Sequence, residues 1–230
     1  MKENHYLLGS AIKSKKMKKI VFTLLILARF LCCGQDEGCF DLKQLIQNEQ
    51  LRFSTKKNLK TASNLDQYDI SFHRLDLTVD PKVRYIKGVV TTYFSPKTSN
   101  FKHLTFDLID SLKVLQVLHQ GQPLSFTHQE QKLTIAFQDT IALHAQDSVS
   151  ISYQGRPEQN GFESFTVSEH EDQPVMWTLS EPYGAKTWWP CKEILTDKID
   201  SLLIIIRAPN GYKAASNGML VSEISDSTTT

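Results

Sequence analysis

The chain has 230 residues, 40% of them hydrophobic and 22% charged, which is enough apolar material for one large β domain or two small ones. A formal net charge of +1 gives no electrostatic reason for a nucleic-acid partner. Of the four cysteines, Cys32 and Cys33 fall in an expected signal segment, and the two that would remain are not a disulfide framework.

The first 34 residues read as an N-terminal extension and a secretory signal peptide. Met17-Lys18-Lys19 supplies a short cationic start, and residues 20–31 an apolar run interrupted by Arg29. The run is shorter than the ~18–20 apolar residues that span a bilayer, so no transmembrane segment is expected. Met17 reads as a better start than Met1, because residues 1–16 are polar. Cleavage after Gly34 would leave Gln35 at the mature end, and Cys32 or Cys33 is a candidate site for a lipid anchor. The implied destination is secreted or periplasmic. Without the signal, Cys39 and Cys191 remain; whether they pair is open, and a buried free thiol at Cys191 is the preferred reading.

Residues 35–67 form a polar lead-in, with a short amphipathic stretch around Leu42, Leu45 and Ile46. From Tyr68 the pattern has a period of two. Ile70 and Phe72 share one face, while Leu75, Leu77 and Val79 continue in the opposite phase, which predicts a bulge near His73. Asp80-Pro81-Lys82 turns the chain. The next strand has apolar or β-branched residues on both faces (Ile86, Val90 and Phe94 against Tyr85, Val89 and Tyr93), the pattern of a strand covered on both sides. Strands follow around Leu104–Leu108, 113–119, 124–127, 133–137 and 149–153. A loop over 155–173 then leads to strands at 175–178 and 202–207 and a hairpin through Asn217-Gly218. Strands at such short intervals predict an all-β domain over 68–230, an antiparallel β-sandwich or saddle. The final Ser-Asp-Ser-Thr-Thr-Thr follows directly on a strand, so truncation of the domain at its C-terminal end is expected.

The densest segment runs Trp177-Thr178-Leu179-Ser180-Glu181-Pro182-Tyr183-Gly184-Ala185-Lys186-Thr187-Trp188-Trp189-Pro190-Cys191-Lys192-Glu193. It is too irregular for a plain strand or helix, and loops that hold one shape are where function concentrates. Read without any resemblance, Glu181 is an ordinary loop carboxylate, and Trp188 and Trp189 are core residues rather than a stacking surface. No His and Asn or Asp arrangement around Cys191 suggests a thiol nucleophile. The seven histidines are dispersed, and His170-Glu171 is followed by Pro174 where a His-Glu-x-x-His zinc helix needs its second histidine. No catalytic residue and no metal ligand are assigned to this chain.

This segment resembles the Thr-Gln-x-Glu-Pro…Arg-x-x-x-Pro-Cys-x-Asp loop of the aminopeptidase N family of zinc metallopeptidases. Tyr68-Asp69-Ile70…Leu75-Asp76-Leu77 with Gly88-Val89-Val90, and Ala215-Ser216-Asn217-Gly218, are similar to other parts of that family's N-terminal β domain. The resemblance implies that Glu181 binds the free α-amino group of a peptide substrate and that Leu179 and Tyr183 form the wall of the first specificity pocket. It also implies that Lys186, Trp188, Trp189, Pro190, Cys191 and Glu193 shape the loop. Leu179 replaces the usual glutamine, Lys186 the arginine and Glu193 the aspartate. A Lys186–Glu193 pair is therefore expected, looser than one made by the fork of arginine. Zn2+ is expected in a full-length family member and not in this chain, which is not expected to be active alone. The alternative reading is a stand-alone, non-catalytic β-sandwich module that binds protein or glycan through its aromatic loop.

Overall fold

A computed structural model describes residues 65–158, 164–181 and 183–225. The expected signal peptide, the start at Met17, Cys32, Cys33, Cys39 and nearly all of the lead-in lie outside the described residues. Among the described residues no helix is long and apolar enough to cross a membrane.

The chain enters through a 3-10 turn, Leu65–Gln67, and then runs as strands: β1 (Tyr68–Asp80), β2 (Val83–Pro96), β3 (Phe101–Asp107), β4 (Leu112–His119), β5 (Gln122–Pro123), β6 (Ser125–Gln129), β7 (Lys132–Ile141), β8 (Asp147–Gly155), β9 (Phe165–His170), β10 (Gln173–Thr178) and β11 (Ser201–Arg207). A six-stranded sheet has the order β11-β1-β2-β8-β4-β5, a three-stranded sheet the order β3-β7-β6, and β9 and β10 form a separate hairpin. The fold is all-β, as the period-two pattern predicts. It is mixed rather than wholly antiparallel, because β11 runs parallel to β1.

The alternation of side chains decides the layering. Tyr68, Ile70, Leu75 and Leu77 of β1, Ile86, Val90 and Phe94 of β2, and Val149, Ile151 and Tyr153 of β8 are buried on one face of the large sheet. Phe101, Leu104 and Phe106 of β3 and Leu133, Ile135 and Phe137 of β7 join them in one core. Rings interlock between the layers: Phe94 lies 5.9 Å from Phe101 and 5.8 Å from Phe137, and Tyr68 lies 5.9 Å from Phe101, all tilted. The Tyr68 hydroxyl donates to the Thr105 carbonyl across the same gap. The register of β1 against β2 shifts between Ile70 and Phe72, which is the bulge that lets His73 enter the core despite the change of phase.

Three expectations need correction. β2 is not covered on both sides: Tyr85, Val89 and Tyr93 are exposed, because the second layer packs on one face only. The stretch 155–173 is not all loop, since β9 forms within it and pairs with β10 from Phe165 to His170. No hairpin ladder forms about Asn217-Gly218. The chain does turn there, with Lys213 ion-paired to Glu223 across it, but neither arm has a partner strand. Met219, Leu220, Val221 and Ile224 are all more than three-quarters exposed.

β11 occupies the sheet edge with five apolar residues in succession, Leu202-Leu203-Ile204-Ile205-Ile206, none fully buried. An unpaired apolar edge is a template for strand addition. The chain should self-associate through β11, and Ile205→Lys should return it to a monomer in light scattering. A monomeric unmodified chain at high concentration would contradict this.

Candidate functional site

The segment after β10 leaves the hairpin and crosses the end of the two-sheet core. It is fastened from three directions. Leu179 N–H donates to the Ser164 carbonyl at 3.2 Å, next to β9. Thr187 Oγ1 donates to the Gly184 carbonyl at 2.6 Å and meets Ser164 Oγ at 2.5 Å. From the large sheet, the buried Tyr153 hydroxyl donates to the Trp188 carbonyl at 2.8 Å. From the end of β3, Asp107 and Cys191 form an isolated antiparallel bridge, with N–H···O distances of 2.7 and 3.1 Å, and Ile109 N–H donates to the Lys186 carbonyl at 3.1 Å.

Within the segment, residues Ala185–Thr187 make a single 3-10 turn. It is entered through Gly184 at φ 147°, a conformation that L side chains rarely adopt, and a Cβ there would stand 3.1 Å from Ser164 Cβ. Glu193 closes the turn: its Oε1 accepts from the N–H of Gly184 at 2.7 Å and of Lys186 at 3.3 Å. The Lys186 ammonium stands 3.9 Å from the other Glu193 oxygen. Glu193 therefore holds the loop chiefly through backbone amides, and the ion pair is secondary.

Trp188 and Trp189 are half-buried, 5.9 Å apart, and both pack against the core. Trp188 Nε1 donates to Ser180 Oγ at 3.0 Å; Trp189 Nε1 is buried with no partner among the described residues. Trp189 meets the His73 ring edge-on at 4.9 Å. The most exposed tryptophan is Trp177, at 43%. Pro190 is buried. Cys191 is a buried free thiol whose pKa is pushed well up by burial and by the Glu193 and Asp107 carboxylates, so it stays protonated and is no nucleophile.

A cleft of about 200 Å³ opens between β1 and the segment. Tyr183, Ser180, Trp189, Glu193 and His73 line it; Leu179 does not. Of the two residues expected to share a pocket wall, the structure thus places Tyr183 at the cleft and Leu179 away from it. Lys192 folds under the segment, donating to the Tyr68 carbonyl at 2.8 Å, pairing with Asp197, and lying 4.2 Å from the Tyr68 ring centre. Burial holds its pKa below the usual lysine range despite the Asp197 partner.

Glu181 stands apart from this network. It is exposed, and among the described residues its side chain has neither a hydrogen bond nor an ion pair. The loop is held on both sides of it, at Leu179 and at Gly184. Among the described residues no three His, Cys, Asp or Glu side chains converge to hold a metal ion. Reading the sequence alone missed Asp107, Tyr153 and Ser164, because each reaches the loop from a distant strand and none sits in a recognisable pattern.

These features define an all-β domain with one pinned, carboxylate-bearing loop. Residues 64–228 match the Peptidase M1 N-terminal domain, and the chain belongs to that family. Among solved structures, the M1 zinc metallopeptidase from Deinococcus radiodurans is similar at a TM-score of 0.62 and 20% identity, over 71% of this chain and 37% of that one. A mutant M1 zinc metallopeptidase from Deinococcus radiodurans, bound to a Tyr-Ser-Ala substrate, is similar at 0.60 and 20%, over 71% and 38%. Yeast LTA4 hydrolase in complex with bestatin is similar at 0.51 and 14%, over 69% and 27%. At these identities the likeness concerns the fold. The chain spans little more than a third of the length of the Deinococcus radiodurans proteins. No curated protein sequence matches it significantly.

Proposed function

We propose that this chain is the substrate-recognition part of a secreted or periplasmic zinc-dependent aminopeptidase, and that Glu181 binds the free α-ammonium of a peptide. The observation that carries this reading is the contrast between a loop held by hydrogen bonds at Leu179, Gly184, Trp188 and Cys191 and the exposed carboxylate of Glu181, which has no partner among the described residues. An exopeptidase must distinguish a chain end from a chain middle, and the distinguishing group is a cation. A carboxylate on a rigid loop reads that charge directly, with little ordering left to do on binding. Tyr183, which lines the cleft, forms one pocket wall; Glu181 and Leu179 are not among the residues that line it. Family membership supports the same division of labour: the zinc and its activated water belong to a catalytic domain that would complete the site. Residues 1–34 direct export, with Cys32 or Cys33 as the lipid-attachment alternative. The reading as an aromatic-loop module fits less well, because it needs Trp188 or Trp189 exposed and both pack against the core.

The division of labour has a direct test. The purified chain should release no amino acid from a dipeptide such as Leu-Gly, with or without added zinc. Zinc-dependent release, lost on chelation, would overturn it.

A further inference from the structure

We propose that Asp107, at the end of β3 and some seventy residues before the loop in sequence, is a positioning residue for the carboxylate of Glu181. This inference rests on the reading of Glu181 as the amine receptor. The route is a short chain of contacts. Asp107 is buried, at 6% exposure. Its Oδ1 pairs with Lys132, the residue opposite it in the β3–β7 register. Its Oδ2 accepts the backbone N–H of Glu193 at 3.0 Å. Its own N–H and carbonyl bond the Cys191 backbone. Asp107 thus makes three hydrogen bonds to residues 191–193, two through its backbone to Cys191 and one through its carboxylate to the N–H of Glu193. Glu193 in turn holds the amides of Gly184 and Lys186, within a few residues of Glu181.

The need for such an anchor follows from the Lys186–Glu193 pair. At 3.9 Å, between a flexible ammonium and one carboxylate oxygen, it does not fix the Glu193 side chain in direction. The direction is set by where the Glu193 backbone is held. A carboxylate with one oxygen on an ammonium and the other on that N–H does this, because charge-assisted bonds are short and directional. The dependence is on the charge of Asp107 and on its balance by Lys132, not only on the shape of the side chain.

The test uses the full 230-residue chain, uniformly labelled with nitrogen-15, as wild type, Asp107→Asn and Lys132→Met. Amide exchange is followed at Gly184 and Lys186 and, as a reference for the core, at Val90 and Ile151. Binding of L-leucinamide is followed in the same samples. The expected result is exchange about tenfold or more faster at Gly184 and Lys186, unchanged at Val90 and Ile151, together with about tenfold weaker leucinamide binding. Lys132→Arg should retain the wild-type values. Unchanged exchange at Gly184 and Lys186, or equal acceleration at all four amides, would overturn the positioning role. Should Asp107→Asn not fold, the Lys132 variants decide the question, since that side chain is about one-third exposed. Wild-type chain that does not bind leucinamide would refute the role of Glu181 and with it a positioning role for Asp107; the exchange data would then report the loop anchor alone.

Discussion

Gly155→Ala should cost the domain about 3 kcal/mol or more, or prevent folding altogether. Gly155 ends β8, where it pairs with Ile86 of β2 on one side and Leu112 of β4 on the other. Its φ is +155°, in a region that is nearly glycine's alone. A methyl group there would sit 2.4 Å from the Ser111 carbonyl oxygen and 3.0 Å from Leu112 Cα. Both obstacles are backbone, so neither can rotate away, and relief requires β4 to separate from β8. That separation would disturb Leu112, which is wholly buried, and Tyr153, whose hydroxyl holds the Trp188 carbonyl. The check is the urea midpoint followed by far-ultraviolet circular dichroism. A midpoint unchanged within error would show that the β4–β8 junction has room that the geometry denies it.

The second large effect is a dependence of stability on pH through His73. Burial holds its pKa at about 4, below an ordinary value of 6.5, and its Nδ1 shares a hydrogen bond with Thr92 Oγ1 at 2.9 Å. The folded form keeps the ring neutral, whereas the unfolded chain binds a proton below about 6.5. The contribution is therefore fully present above pH 6.5 and is lost as the pH falls toward 4, by about 3 kcal/mol in all and about 2 kcal/mol by pH 5. Because Trp189 packs against the ring, acid should loosen the loop around Trp189 along with the sheet. Urea titrations at pH 7.5 and pH 5 should show this loss in the wild type and a much smaller one in His73→Gln. Equal losses in both proteins would assign the acid sensitivity to other groups.

The core faces were legible where apolar residues recur at every second position, as Leu75, Leu77 and Val79 do in β1 and Leu133, Ile135 and Phe137 in β7, which is the period of a strand. The bulge before His73 was legible as a change of phase. Coverage of β2 was not: Tyr85, Val89 and Tyr93 are as apolar as buried residues, and alternation says which face a residue occupies without saying what lies over it. Three hairpins turn on two-residue loops with positive φ at both positions, at Gln120-Gly121, Glu130-Gln131 and Glu171-Asp172. Only the first carries the glycine that such a turn favours, which is why β9 and β10 were not recognised as a pair. Conversely, Asn217-Gly218 carries a strong turn signal and makes no ladder, because a turn residue cannot supply a partner strand. For the loop, the motif indicated Glu181 and its neighbours in sequence. It could not indicate Asp107, Tyr153 or Ser164, since tertiary hydrogen bonds between distant strands leave no local pattern.

The central claim is that Glu181 reads a free amine. The measurement that tests it most directly is a titration of the chain with L-leucinamide and with N-acetyl-L-leucinamide, which differ in the amino group alone, repeated with Glu181→Gln. Wild-type chain should bind leucinamide in roughly the millimolar range and the acetylated form about tenfold more weakly or not at all, and Glu181→Gln should abolish the difference. Equal binding of the two amides by the wild type, or a preference that survives in Glu181→Gln, would contradict the account.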